Sequence, residues 1–417
     1  MRYAVASLVN FSSLGVSAPI LAVLDRLHFK TPTPIQHQSI PAGLLGKDII
    51  GIAQTGTGKT LAFGIPMIQR LQAMPGSGLI LLPTRELAQQ VDEALHKIGK
   101  GLGMTAAVVI GGESMYRQID ALQRRPRIVI ATPGRLLDHL QQGTARMDDV
   151  RVLVLDEADR MLDMGFAPQI NQILKRLPRD RQTLLYSATM PGAIVNIATA
   201  HMKLPVRVEV APAGTAAENV EQEIIIVGRE SKQALLESVL HEHAGTALVF
   251  SRTKHGAKKI CRNLNIRGFH AAEIHANRSQ SQRRQAMEGF RNGRYRVLVA
   301  TDIAARGIDV SHIETVVNYD LPDNSEDYVH RIGRTGRAGR EGRAISFATP
   351  DQKRDIRDIE KLIRKTLKVT SRHGLATTQS PGPSTRPVPF ERPADPQPRR
   401  SFGFRTSGRS RRRQRGY

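Results

Sequence analysis

Short, mainly apolar runs alternate with longer stretches of mixed apolar and polar residues along most of this chain. In the first half the runs are Ile49-Ile50, residues 79–82, 106–110, 128–132 and 152–155; in the second they are 247–250, 271–274 and 297–301. A strand covered on both faces reads as a continuous apolar run rather than an alternating one, which is the mark of a parallel sheet. Strands alternating with helical stretches predict an α/β fold, a doubly wound parallel sheet with right-handed crossovers.

The scheme is used twice. Thr84 and Thr132, each ending an apolar run, are 48 positions apart, and Arg252 and Thr301 in the second half are 49 apart. The spacing predicts two tandem domains, 1–210 and 223–368, joined by a linker over 211–222 where small residues (Ala211-Pro212-Ala213-Gly214) replace any periodicity. Beyond Lys368 the composition turns to Pro, Ser, Arg and Gly, so residues 369–417 are expected to be a disordered Arg-rich tail.

Charge narrows the partners. The formal net charge is +23, and the stretch from Ser371 to Tyr417 holds eleven arginines, no lysine and two acids. Both the folded part and the tail are basic, as suits a partner with a phosphate backbone. With no tryptophan and 4% aromatic residues, base stacking is not expected to be the main source of affinity. No apolar run approaches the roughly 20 residues of a membrane span. The single cysteine, Cys261, excludes an internal disulfide framework, and a cytoplasmic location is expected.

The chemistry is concentrated in two segments. Ala53-Gln54-Thr55-Gly56-Thr57-Gly58-Lys59-Thr60 follows an apolar run and precedes a helical stretch, the context of a phosphate-binding loop. Gly56 and Gly58 let the backbone amides turn inward toward phosphate oxygens; Lys59 brings a mobile charge to the outer phosphates, and the Thr60 hydroxyl suits the shell of a magnesium ion. Asp156-Glu157 ends the run 152–155, so both carboxylates face the ligand crevice at the carboxyl end of a strand. Asp156 is then a metal holder and Glu157 the group that orients and deprotonates the attacking water. Alone, the acidic cluster reads equally as a solvated helix start; the upstream loop favours a nucleoside triphosphate hydrolase.

These segments, with Pro83-Thr84-Arg85-Glu86-Leu87-Ala88, Gly111-Gly112, Thr132-Pro133-Gly134-Arg135, Asp156-Glu157-Ala158-Asp159, Ser187-Ala188-Thr189 and 330–337 (His330-Arg331-Ile332-Gly333-Arg334-Thr335-Gly336-Arg337), resemble the DEAD-box RNA helicases of superfamily 2 from about Phe11 to about Lys368. The motif wording is similar to bacterial RhlE-type members. The resemblance implies two RecA-like domains, ATP and Mg2+, RNA-stimulated ATP hydrolysis and local unwinding of short duplexes or remodelling of a ribosomal or degradation ribonucleoprotein by a monomer. It makes Arg334 and Arg337 arginine fingers that complete the first domain's site from the second. It assigns Gln36 to adenine, with Phe29 and Phe11 as aromatic neighbours whose alternative is core packing, and Gly307 and Asp309 to the nucleotide's sugar side. Sequence-independent RNA contacts fall on Thr84, Arg85, Gly112, Thr132, Gly134 and Arg135 in the first domain and on Arg252, Gln280, Arg283 and Thr301 in the second. Asp159, Ser187, Thr189 and His330 would join the domains. Two other readings share these motifs: a nucleotide-regulated RNA clamp, and a DNA-directed translocase, against which Gln36 and the 156–159 run argue.

Overall fold

The computed structural model of the chain describes residues 10–54, 56–210, 220–305, 313–336 and 341–371. The first lobe runs α1 (Ala18–Arg26), α2 (Pro34–Leu44), β1 (Ile49–Ile52), α3 (Lys59–Ala73), β2 (Ser77–Leu81), α4 (Arg85–Gly99), β3 (Ala106–Val109), α5 (Met115–Gln123), β4 (Ile128–Ala131), α6 (Pro133–Gln141), β5 (Val150–Leu155), α7 (Ala158–Asp163), α8 (Ala167–Arg176), β6 (Gln182–Ser187), α9 (Gly192–His201) and β7 (Val206–Glu209). The second runs β8 (Val220–Ile226), α10 (Lys232–Glu242), β9 (Ala247–Phe250), α11 (Lys254–Ile266), β10 (Ala271–Ile274), α12 (Gln280–Arg291), β11 (Val297–Ala300), α13 (Asp302–Ala305), β12 (Thr315–Asn318), α14 (Ser325–Ile332), β13 (Gly342–Ala348), α15 (Lys353–Ile363) and β14 (Lys368–Ser371).

Each lobe holds a seven-stranded sheet, ordered β3-β4-β2-β5-β6-β1-β7 and β10-β11-β9-β12-β13-β8-β14, the same order in both when the strands are counted within the lobe. Every pairing is parallel. Central strands such as β2, β4, β9 and β11 are buried along their whole length because helices cover both faces, as the apolar runs require. These are tandem RecA-like domains. Val220 to Gln222, the end of the expected linker, already lie in β8, where Val220 is buried; Val369 to Ser371, the start of the expected tail, form most of β14 beside β8. The rest of both segments lies outside the described residues.

The duplication extends to single hydrogen bonds. Arg127, just before β4, donates through Nη2 to the carbonyls of Leu71 and Met74 at the end of α3; Arg296, just before β11, donates through Nη2 to those of Leu240 and His243 at the end of α10. In both lobes the partners are 56 and 53 positions apart. The last carbonyls of a helix have no intrahelical donor, and a cation there also meets the negative end of the helix dipole. One arginine therefore ties the equivalent helix of each lobe, α3 and α10, to the sheet beneath it.

Candidate active site at the meeting of the lobes

Strand order brings the chemistry together. In the first sheet β6 lies between β5 and β1, so the loops leaving their carboxyl ends are neighbours: residues 53–58 after β1, Asp156-Glu157 after β5 and Ala188-Thr189 after β6. Gly58 caps α3 at φ 92°, a left-handed conformation that disfavours side chains, and a Cβ there would also collide with the Gln36 amide. Lys59, 5% exposed, folds back so that its Nζ donates to the Ala53 carbonyl at 3.0 Å and lies 3.7 Å from Asp156 Oδ1. Burial pushes the Asp156 carboxyl up to about 6 against the pull of Lys59.

Glu157 sits at φ 52°, a strained position for a residue with a side chain, at the start of α7. Arg160, one turn on, donates from Nη1 to Glu157 Oε2 at 2.6 Å, and both side chains are buried. Burial alone would raise the Glu157 carboxyl, but Arg160, Lys59 and Arg334 together hold it well below the usual range. Arg160 aims the carboxylate, and cations from both lobes favour its ionised form. Arg160 was not among the residues singled out from sequence; its position directly after the 156–159 run was the available signal.

Asp159 organises the β6 loop. Its Oδ2 accepts from the backbone N–H groups of Ala188 and Thr189 and from the Thr189 hydroxyl at 3.0, 2.8 and 3.0 Å, and its own N–H donates to Ser187 Oγ at 3.1 Å. From the second lobe, His330 on α14 lies within the fields of Arg160 and Asp159, and burial, with Arg160 beside it, lowers its pKa. Arg334, 2% exposed, donates from Nε to the His330 carbonyl at 3.3 Å. Gly333 approaches Gln54 of the phosphate loop. A 340 Å³ cavity opens beside this contact, lined by Gln54, Thr189, Arg207 and Met190 on one side and by His330 and Arg334 on the other.

Gln36 is buried on α2. Its Oε1 accepts from Thr33 N–H and its Nε2 donates to the Gly58 carbonyl, both at 2.9 Å, which leaves one further donor and one further acceptor position on the amide. Phe29 is 43% exposed, whereas Phe11 is 3% exposed and packs in the core of the first lobe.

A second group gathers along the carboxyl rims. Thr84 caps α4 through Oγ1, which accepts from Leu87 N–H at 3.3 Å; Thr132 opens α6; the Arg85 side chain lies against Gly111 and Gly112. Gly134 has open space at its Cα. Arg135 donates from Nη1 to the Glu113 carbonyl at 3.0 Å and to Gln118 Oε1 at 3.3 Å, and Gln118 Oε1 also meets His139 Nε2 at 3.1 Å. Thr301 follows β11, and Arg252 turns to the Leu321 carbonyl and Asp323 within its own lobe. Two residues of α12 cross to the first lobe. Arg283 Nη2 lies 2.9 Å from Glu86 Oε2, the glutamate buried and the arginine largely so, and Gln280 Nε2 donates to Gln89 Oε1 at 3.4 Å. Arg331, by contrast, is internal to the second lobe: its guanidinium grips both carboxylate oxygens of Asp302 at 2.6 and 2.7 Å and lies over Phe250. Thr55, Gly307, Asp309 and Arg337 lie outside the described residues.

A loop built for phosphates, two buried carboxylates at the end of a neighbouring strand, and an arginine from a duplicate lobe define a two-lobed nucleoside triphosphatase. Residues 33–197 match the family description DEAD/DEAH box helicase, and residues 230–339 match Helicase conserved C-terminal domain. DEAD-box ATP-dependent RNA helicase CshA of Bacillus subtilis is 43% identical over 362 residues, which are 86% of this chain and 73% of that protein. The corresponding protein of Geobacillus kaustophilus is 42% identical over 86% of this chain and 78% of its own length. Among solved structures, S. cerevisiae Dbp5 bound to RNA and ADP BeF3 superposes with a TM-score of 0.78 at 30% identity, covering 87% of this chain and 95% of that one. Mss116p bound to ssRNA and AMP-PNP gives 0.81 at 30% identity, covering 88% and 80%. The chain belongs to the DEAD-box helicase family.

Proposed function

We infer that the chain is an ATP-dependent RNA helicase in which ATP and one RNA strand draw the two lobes together and hydrolysis lets them part. The observation that supports this most directly is the meeting of Arg334 and His330 with Glu157, Asp159 and Arg160 across the lobes.

The donor set fits Mg2+: a threonine hydroxyl at Thr60 and the Asp156 carboxylate are hard oxygen ligands, and Asp156 is buried beside Lys59. When bound, the ion neutralises charge on the outer phosphates. The remaining work falls to the chain. Thr57, Gly58 and the other loop residues, Thr55 and Gly56 among them, present amides to the phosphates, and Lys59 exchanges the Ala53 carbonyl for a phosphate oxygen. Glu157 orients the attacking water and takes its proton. Arg160, bonded to Glu157 Oε2, holds the carboxylate in place for that role. Arg334, with Arg337, offsets charge growing on the departing phosphoryl group, a role typically worth about 10³ to 10⁵ in rate. Gln36 reads adenine with its remaining donor and acceptor, Phe29 stacks on the base, and Gly307 and Asp309 face the sugar.

RNA crosses both rims. Hydroxyls, arginines and glycine amides at Thr84, Arg85, Gly112, Thr132, Gly134, Arg135, Arg252, Gln280, Arg283 and Thr301 suit phosphate and ribose, which sets position without reading bases. Asp159, Ser187, Thr189 and His330 connect the two sites. The same reading takes a ribonucleoprotein as the larger target, the monomer as the working unit, the cytoplasm as its place, and the Arg-rich segment after Ser371 as an RNA tether. Among the described residues no helix is long and apolar enough to cross a membrane. ATPase rates without polymer, with RNA and with DNA, measured beside release of a short RNA duplex, test it. RNA stimulation with duplex release is expected; equal rates with and without RNA would overturn it, and RNA stimulation without release would mark a clamp.

A further inference from the structure

Two depressions of equal size, each 720 Å³, open at the amino ends of the two sheets, on the edge away from the phosphate loop. They are built from equivalent parts: the end of α3 with the approaches to β1, β2, β5, β6 and β7 in the first lobe, and the end of α10 with the approaches to β8, β9, β12, β13 and β14 in the second. Their charges are opposite. Lys47, Arg70, Arg151, Arg181 and Lys203 face Asp48 and Asp180 in the first; Glu221, Glu242, Glu314 and Glu341 face Arg343 and Lys365 in the second. In the strand register Arg151 at β5 stands where Glu314 precedes β12, and Arg70 lies one turn before the place in α3 that Glu242 takes in α10, whereas Asp180 and Glu341 occupy the same place with the same sign. The cationic lining is therefore not an overflow of the chain's net charge, since the twin depression has the other sign.

The acids of the first depression are already engaged. Asp48, 5% exposed, accepts the N–H groups of Thr183 and Lys203 at 2.7 and 2.6 Å, and Asp180 lies 3.6 Å from Lys203 Nζ. No ion pair among the described residues includes Lys47, Arg70, Arg151 or Arg181. Arg181 donates from Nη1 to the Pro178 carbonyl and lies in the field of Asp48, and burial lowers the pKa of both the Arg70 and the Arg181 guanidinium. Partly desolvated guanidinium forks that hold no carboxylate match phosphate oxygens in geometry and charge.

We propose that this depression is a second binding site for the phosphodiester backbone of RNA, engaging strand that runs beyond the tract held between the lobes. The proposal rests on the reading of the chain as an RNA-dependent enzyme. RNA is favoured over a second copy of the chain, whose complementary acidic surface is also concave and does not fill a hollow. The acidic twin repels the same strand, so a long RNA is held on the first lobe.

The test uses the full chain with Arg151→Glu/Arg181→Glu and, as the milder pair, Arg151→Gln/Arg181→Gln. Affinity is measured with a non-hydrolysable ATP analogue for single strands of about 10 and about 40 nucleotides over a range of salt. For the long strand we expect about tenfold weaker binding in the glutamate pair and, in the glutamine pair, a log–log salt slope shallower by about 1.4, the value for two lost single-strand phosphate contacts. Short-strand affinity and RNA-stimulated ATPase should stay within about twofold in the glutamine pair. Equal loss for both lengths, or none for either, overturns the proposal. A thermal shift with inorganic tripolyphosphate that vanishes in the variants, with long-strand affinity unchanged, assigns the hollow to a free oligophosphate and overturns it too. So does a change in sedimentation with RNA binding intact, which assigns it to self-association. Failure of the wild-type chain to bind even the short strand counts instead against the proposed function.

Discussion

Replacing Glu86 by Gln should uncouple RNA binding from ATP turnover, because it cuts the one ion pair that α12 of the second lobe makes with α4 of the first among the described residues. Arg283 Nη2 and Glu86 Oε2 are 2.9 Å apart with side chains 11% and 7% exposed. At an effective dielectric of about 20 the attraction is roughly 6 kcal/mol, and most of it offsets the desolvation of the two groups. Neither Glu86 oxygen nor Arg283 Nε has a well-aligned hydrogen bond, so the pair is poorly buffered against loss of one member. Stranding Arg283 costs the joined state about 3 kcal/mol, at the low end for a buried pair. That is about a hundredfold in its population. The assay is ATPase rate against RNA concentration at saturating ATP, with kcat over the half-saturating RNA concentration as the readout. Glu86→Gln and Arg283→Gln should each lower it about a hundredfold, and the exchange Glu86→Arg with Arg283→Glu should recover at least about tenfold of that. If Glu86→Gln stays within about threefold of wild type, or the exchange is no better than the single changes, the contact does not carry the joining of the lobes.

Other outcomes are expected at the centre and away from it. Glu157→Gln should nearly abolish hydrolysis while ATP and RNA remain bound together; wild-type turnover would remove Glu157 from its role. Arg334→Gln should lower RNA-stimulated kcat by about 10³ with little change in ATP affinity, as read by a fluorescent nucleotide, and an unchanged kcat would sink the finger assignment. Gln36→Ala should erase the preference for ATP over GTP, and retained preference would place adenine recognition elsewhere. His139, fully buried, has its pKa lowered by burial and by Arg135. A neutral buried histidine leaves stability unaffected above its unfolded value near 6.5 and lowers it as pH falls below that value, by at most about 1.4 kcal/mol per pH unit. Denaturant unfolding between pH 7.5 and 5.5 should therefore slope less in His139→Gln, and an equal slope would exclude this histidine as a source.

Runs of apolar residues located the strands because a fully covered parallel strand has no reason to alternate. The repeat was visible for the same reason, and a sharper sign lay unread in Arg127-Ile128-Val129-Ile130-Ala131-Thr132 beside Arg296-Val297-Leu298-Val299-Ala300-Thr301, which begin with the arginines that hold α3 and α10. Linker and tail limits were harder to read. Val220 and Val369 belong to strands whose neighbours are distant in sequence, and composition carries no trace of pairing partners. The grouping of Lys59, Asp156 and Glu157 follows from strand order, which the motifs implied. Other partners do not: nothing in the spacing reveals that Arg331 is spent on Asp302 inside its own lobe, or that Gln118 stands behind Arg135 and His139. Such contacts depend on side chains meeting across elements, information that local pattern does not hold.

The last described strand has a bearing on everything downstream of it. β14 runs parallel to β8, so Ser371 emerges at the same rim of the second sheet from which Arg252 and Thr301 project. A leash is useful only if its fixed end is near the work, because the local concentration it creates falls steeply with the span it must bridge. On the proposed reading of the arginine-rich stretch as an RNA tether, its point of attachment after Ser371 lies on the rim that the proposed RNA path follows.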